Sequence, residues 1–69
     1  MNRVGQAWQL EIDGIGRIEH AVYAVIEDHE EGCYGILIET PRSCEYLIGT
    51  RVLLPHDWFL REEDVTRLA

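Results

Sequence analysis

The chain has 69 residues, of which 46% are hydrophobic, 28% charged and 9% aromatic. This excludes disorder, collagen and low complexity, and leaves room for one domain, residues 1–69. Thirteen acidic residues against six basic ones give a net charge of −7. All the bases are arginines scattered along the chain, so the clustered cations that direct nucleic-acid binding or docking on an anionic membrane are missing.

The elements follow in chain order. Trp8, Leu10 and Ile12 alternate with Gln9 and Glu11, the period of a half-buried strand. Asp13-Gly14 is a turn dipeptide. The run 18–28 predicts a long second strand, with Ile18, His20, Val22, Ala24 and Ile26 on its even side. Asp28 to Gly32 reads as a solvated hairpin tip, and 33–39 returns as a third strand. Thr40-Pro41-Arg42-Ser43 is a loop. A fourth strand is predicted over 44–48, a turn at Gly49-Thr50, and a fifth strand over 51–54. Pro55 ends that strand or confines it to a sheet edge. The tail 61–68 is either a two-turn helix or a 3₁₀ turn at 62–64 followed by a short strand.

A three-residue loop at Asp13-Gly14-Ile15 sets Trp8 opposite His20 and Leu10 opposite Ile18. Centring the next hairpin on Glu30 pairs Val22 with Ile38, Ala24 with Ile36 and Ile26 with Tyr34. Centring a third near Pro41 pairs Ile38 with Cys44, Ile36 with Tyr46 and Tyr34 with Ile48. These registers agree on one inner face of even-numbered residues, and a one-residue slip would reverse it.

The order of these elements resembles the SH3-like small barrels. The likeness rests on an opening Val4-Gly5-Gln6-Ala7-Trp8 strand, a long bent second strand, and a closing Gly49-Thr50-Arg51-Val52-Leu53-Leu54-Pro55. A short turn and a terminal Val65-Thr66-Arg67-Leu68 complete it. The resemblance implies an all-β fold: a single five- to six-stranded antiparallel barrel with a short helical turn near the C-terminus, whose last strand closes on the first. Proteins of this shape mostly bind proteins, peptides or nucleic acids, and fold alone assigns no function.

His20, His29, His56, Cys33 and Cys44 are the candidate metal ligands. No C-x₂-C spacing joins them, and the registers turn Cys44 inward and Cys33 outward, so neither a metal site nor a disulfide is expected. A nucleophilic site at Cys33 and His29 would lie on an acidic, poorly enclosed tip. No catalytic residue and no cofactor is therefore expected. With no apolar run near the ~20 residues of a spanning helix and no apolar leader at the N-terminus, the expected compartment is the cytoplasm, with both thiols reduced.

The odd side of the central strands carries Tyr23, Val25 and Leu37, with Leu47 beside them, where a free-standing sheet should be polar. Three covers compete for this face: the segment Trp58-Phe59-Leu60, a second copy of the chain, or another protein. The expectation is a small acidic, homodimeric interaction module whose interface is Tyr23, Val25, Leu37, Leu47, Trp58 and Phe59. The acidic rim is Glu27, Asp28, Glu30, Glu31, Glu62, Glu63 and Asp64. The alternative is an acidic inhibitor, or nucleic-acid mimic, that blocks a basic site on a partner protein.

Overall fold

A computed structural model describes residues 2–14 and 16–69. Among them the chain forms β1 (Ala7–Gly14), β2 (Arg17–His29), β3 (Gly32–Glu39), the 3₁₀ helix η1 (Arg42–Leu47), β4 (Arg51–Leu54), the 3₁₀ helix η2 (His56–Leu60) and β5 (Val65–Arg67). The strands make one antiparallel sheet in the order β4-β3-β2-β1-β5. The fold is thus all-β, with strands β4 and β5 at its edges. The last strand does pair with the first, Leu10 opposite Val65 and Trp8 opposite Arg67.

The first hairpin is longer than the sequence suggests. β1 runs through Asp13 to Gly14, which pairs with Arg17, and Gly16 at φ +78° supplies the reversal that Asp13-Gly14 was expected to make. The three-residue turn proposed for Asp13-Gly14-Ile15 includes Ile15, which lies outside the described residues. Trp8 consequently opposes Tyr23 and Leu10 opposes Ala21, in place of His20 and Ile18.

In the second hairpin the expected rung between Ala24 and Ile36 is present, but the ladder shifts on either side of it. Tyr23 pairs with Leu37 while Val22 pairs with Glu39, and Val25 pairs with Gly35 while Glu27 pairs with Tyr34. Ile38 and Ile26 are the residues passed over at these two irregularities. Each shift reverses the alternation beyond it and bends the strand. Asp28 therefore comes to lie opposite Cys33.

The predicted strand 44–48 does not exist. Residues 44–47 belong to η1, which buries none of its side chains, and Ile48 is its C-cap. β3 pairs instead with β4, Cys33 opposite Leu54 and Gly35 opposite Val52. Backbone bonds from Leu37 N to Thr50 O and from Gly49 N to Leu37 O anchor the end of the connection.

Through the middle of β2 and β3 these registers turn the odd-numbered side to the core in place of the expected even side, while Trp8 and Val22 of the expected face stay inside. Val25, Cys33, Leu54 and Phe59 form its centre, with Trp8, Tyr23, Val52 and Trp58 packed around them. Leu37, Ala21, Val22 and Val65 are also buried. The aromatic segment of η2 folds over the Tyr23/Val25/Leu37 face, so the chain covers that face itself. Phe59 lies edge-on to Trp8 and Trp58 at 5.0 Å from each, and Trp58 lies edge-on to Tyr23 at 5.6 Å. Gly35 permits this packing, since a Cβ there would meet Leu54 Cδ1 at 2.9 Å and Ala24 O at 3.3 Å.

The outer side of the sheet is left with apolar residues in solvent, among them Ile26, Ile38 and Leu53. Beside them stands an ionic cluster, where Arg51 pairs with Glu27 and lies 4.1 Å over the Tyr34 ring.

Candidate functional site

Two places gather polar side chains with a definite geometry. One is a groove at the end of β1. The backbone bond from Glu11 N to Asp64 O, 2.7 Å, ties the turn after η2 to β1, and Val65 N to Arg61 O, 2.8 Å, tightens that turn. Beside them lies an open groove of about 480 Å³ lined by Leu10, Glu11, Ile12, Asp13, Arg61, Glu63 and Asp64. Arg61 is already paired, its Nη2 2.5 Å from Asp64 Oδ2. The remaining carboxylates give the groove a net negative wall. Leu60, Arg61, Glu62, Glu63 and Asp64 line a second opening at the same turn.

The other place lies under the β2–β3 hairpin. Asp28, Cys33 and His56 each present a side-chain ligand atom, and these atoms all fall within 4.8 Å of one another. Cys33 is fully buried at 0% exposure. The Asp28 side chain is 11% exposed and that of His56 43%. Asp28 Oδ2 accepts a 2.8 Å hydrogen bond from the Arg3 backbone N–H, while Oδ1 lies 3.9 Å from His56 Nε2. His56 Nε2 is also 2.6 Å from the His29 carbonyl.

The electrostatics follow from these contacts. The Arg3 N–H holds the Asp28 carboxyl below its ordinary range, helped by the Cys33 hydrogen bond and by His56, and opposed by burial. Burial pushes the Cys33 thiol up, and the hydrogen bond to Asp28 and that residue's charge push the same way, against Arg3. Arg3 itself stacks over the Phe59 ring at 4.4 Å. On the outer side of the hairpin, the His29 hydrogen bond lowers Glu27, with further help from Arg51.

The residues expected to form an interface are distributed differently. Val25, Leu37 and Phe59 are buried in the core, and Tyr23 and Trp58 are half-buried against it. Leu47 is partly exposed in η1, outside that core cluster. The expected rim also divides. Glu27, Glu30 and Glu31 lie at the β2–β3 hairpin tip, whereas Glu62, Glu63 and Asp64 lie against the end of β1 that pairs with the beginning of β2. The two acidic groups therefore sit toward opposite ends of β2 and make no single rim. Asp28 turns inward to Cys33.

Cys33 is likewise inside, correcting its expected outward direction, and Cys44 is only half-buried. Both thiols are free. The convergence of Asp28, Cys33 and His56 was hidden because the shift around Ile26 reverses the alternation and because η2 carries His56 back to the hairpin. Glu11 and Asp13 were missed as groove residues because only the β1–β5 pairing brings them to the 61–64 turn.

Among the described residues no helix is long and apolar enough to cross a membrane. Comparison with protein-family models, with curated proteins and with solved structures finds no match.

Proposed function

We propose that this chain is a small, non-enzymatic protein-binding module that docks a basic partner through the groove between β1 and the 61–64 turn. The observation that carries this reading is the groove itself, whose lining combines apolar Leu10 and Ile12 with the acidic residues Glu11, Asp13, Glu63 and Asp64. Such a surface suits an arginine or lysine side chain, whose aliphatic stem lies on apolar ground while its charged head meets a carboxylate. A net charge of −7 steers a basic partner toward the chain and disfavours a nucleic acid or an anionic membrane. Blocking a basic site on that partner is the simplest outcome of such docking. The finer fold reading is an SH3-like barrel, supported by the order β4-β3-β2-β1-β5 and by the 3₁₀ helix before the final strand. Two free thiols agree with a cytoplasmic setting.

The test uses a fluorescent deca-arginine peptide as the basic probe. Removing two groove charges, Glu11→Gln with Glu63→Gln, is expected to weaken binding about five- to thirtyfold at low salt, from ~1–2 kcal/mol for two exposed ion pairs. Removing two tip charges, Glu30→Gln with Glu31→Gln, changes net charge equally and is expected to have a much smaller effect. Equal losses from the two variants would show that only overall charge matters and would overturn the groove assignment.

A second reading is self-association. The inner face is occupied by η2, so the supporting observation is the apolar surface left elsewhere: Ile38 and Leu53 are exposed on the strands, and in and after η1 Tyr46 is 80% exposed and Ile48 is exposed. Light scattering across a dilution series tests it. A dimer dissociated by Leu53→Glu supports this second reading, and a monomer at every concentration removes it.

A further inference from the structure

We infer that Asp28, Cys33 and His56 form a binding site for a divalent transition-metal ion of the zinc class, joining the β2–β3 hairpin to η2. The three residues come from separate elements, and their ligand atoms lie within 4.8 Å of one another. In a tetrahedral zinc site, Zn–S of about 2.3 Å and Zn–N or Zn–O of about 2.0–2.2 Å place ligand atoms roughly 3.3–3.8 Å apart. The observed cluster therefore needs to close by about 1 Å. His56 lies at the start of η2 and is half exposed, so it can make that movement without disturbing the buried pair.

The donor set favours this class of ion. A thiol, an imidazole and one carboxylate mix soft and borderline donors, whereas calcium and magnesium select oxygen. Three protein ligands leave one tetrahedral position for water. Asp28 is already positioned by the Arg3 N–H on its other oxygen, which is the kind of supporting hydrogen bond that orients a metal ligand. Cys33 binds as the thiolate, so its S–H bond breaks, a Zn–S bond forms, and one proton passes to solvent for each ion taken up. His56 contributes the lone pair of a neutral ring nitrogen. If that nitrogen is Nε2, it gives up its contact with the His29 carbonyl and the ring proton resides on Nδ1. The bound ion would clamp the start of η2, and hence Phe59, onto the hairpin.

The experiment titrates the full chain, stripped with a chelator, with Zn(II) in a competition assay and with Co(II) in an absorption assay. The expected result is one ion per chain, a rise in the melting temperature, and a near-ultraviolet thiolate-to-cobalt charge-transfer band. His56→Gln, a substitution at a half-exposed position, is expected to weaken binding at least tenfold, while His20→Gln leaves it unchanged. Cys33→Ser removes the charge-transfer band where the variant folds, and His56→Gln carries the test where it does not. Absence of the cobalt band, an affinity within twofold of wild type in His56→Gln, or an equal loss in His20→Gln would overturn the assignment.

Discussion

Truncating Phe59 to alanine probes the packing at its centre. Phe59 is 5% exposed and touches three neighbours: the rings of Trp8 and Trp58, each 5.0 Å away, and the Arg3 guanidinium 4.4 Å above its face. Removing a buried phenylalanine side chain costs about 3–5 kcal/mol through lost transfer energy and the cavity left behind. The loss of a partly exposed cation–π contact adds about 0.5–1 kcal/mol. A 69-residue domain has roughly 3–10 kcal/mol of stability in all, so Phe59→Ala is expected to remove from about a third to all of it. Phe59→Leu keeps most of the volume and is expected to lose about 1–1.5 kcal/mol. Urea titration followed by tryptophan fluorescence reads both, since Trp8 and Trp58 border the site. A Phe59→Ala protein that loses less than about 0.5 kcal/mol would refute this packing. So would a loss that vanishes on dilution of both proteins, because it would belong to an interface between copies.

Three further outcomes follow from single contacts. Gly35→Ala places a Cβ 2.9 Å from Leu54 Cδ1 and should cost about 1–3 kcal/mol in urea unfolding; Leu54→Ala in the same chain should make the glycine substitution nearly neutral. Burial raises the Tyr23 phenol, so the protonated form is favoured in the folded state. Its contribution is complete below the unfolded value of about 10 and is lost as pH rises through the folded value. Tyr23→Phe should therefore reduce the alkaline fall in stability above about pH 10, and an unchanged alkaline limb would contradict this. Arg51→Gln removes a half-exposed pair with Glu27 and a stacking contact on Tyr34, with an expected loss of about 1 kcal/mol that shrinks in salt.

How far the fold was legible depended on which interaction decided each feature. The strand character of 8–12, 18–28, 33–39 and 51–54 follows from alternation and β-branched content. Centring the hairpin on Glu30 gives the Ala24–Ile36 rung, which the structure reaches through a tip at Glu30-Glu31 and the shift at Ile26. Which face is buried was not legible, because both faces of β2 and β3 are apolar. Tyr23, Val25 and Leu37 on one side compete with Ala24, Ile36 and Ile38 on the other. The choice is made by Trp58 and Phe59, more than twenty residues away, and by the room that Gly35 leaves for Leu54. Cys44 to Ile48 has strand-like residues but finds no ladder partner, because β4 already pairs with β3. Asp13-Gly14 carries a turn signature, yet β1 continues through it.

The candidate sites were legible only in part for the same reason. Glu62, Glu63 and Asp64 stand out as a charge run, but their groove partners Glu11 and Asp13 arrive through the β1–β5 pairing. Cys33 and His56 are separated by twenty-three positions and meet only because η2 folds back on the hairpin.

The central structural claim is that the aromatic segment of η2 seals the inner face of the sheet within a single chain. Thiol labelling under native conditions tests it most directly, with an aromatic disulfide reagent, a chelator present, and a series of protein concentrations. Cys33 lies at 0% exposure beneath that segment and Cys44 is only half-buried. The account predicts one thiol that reacts quickly and a second that reacts only through unfolding, at a rate that urea accelerates and dilution leaves unchanged. Two quickly reacting thiols, or a protected thiol that becomes exposed on dilution, would contradict it.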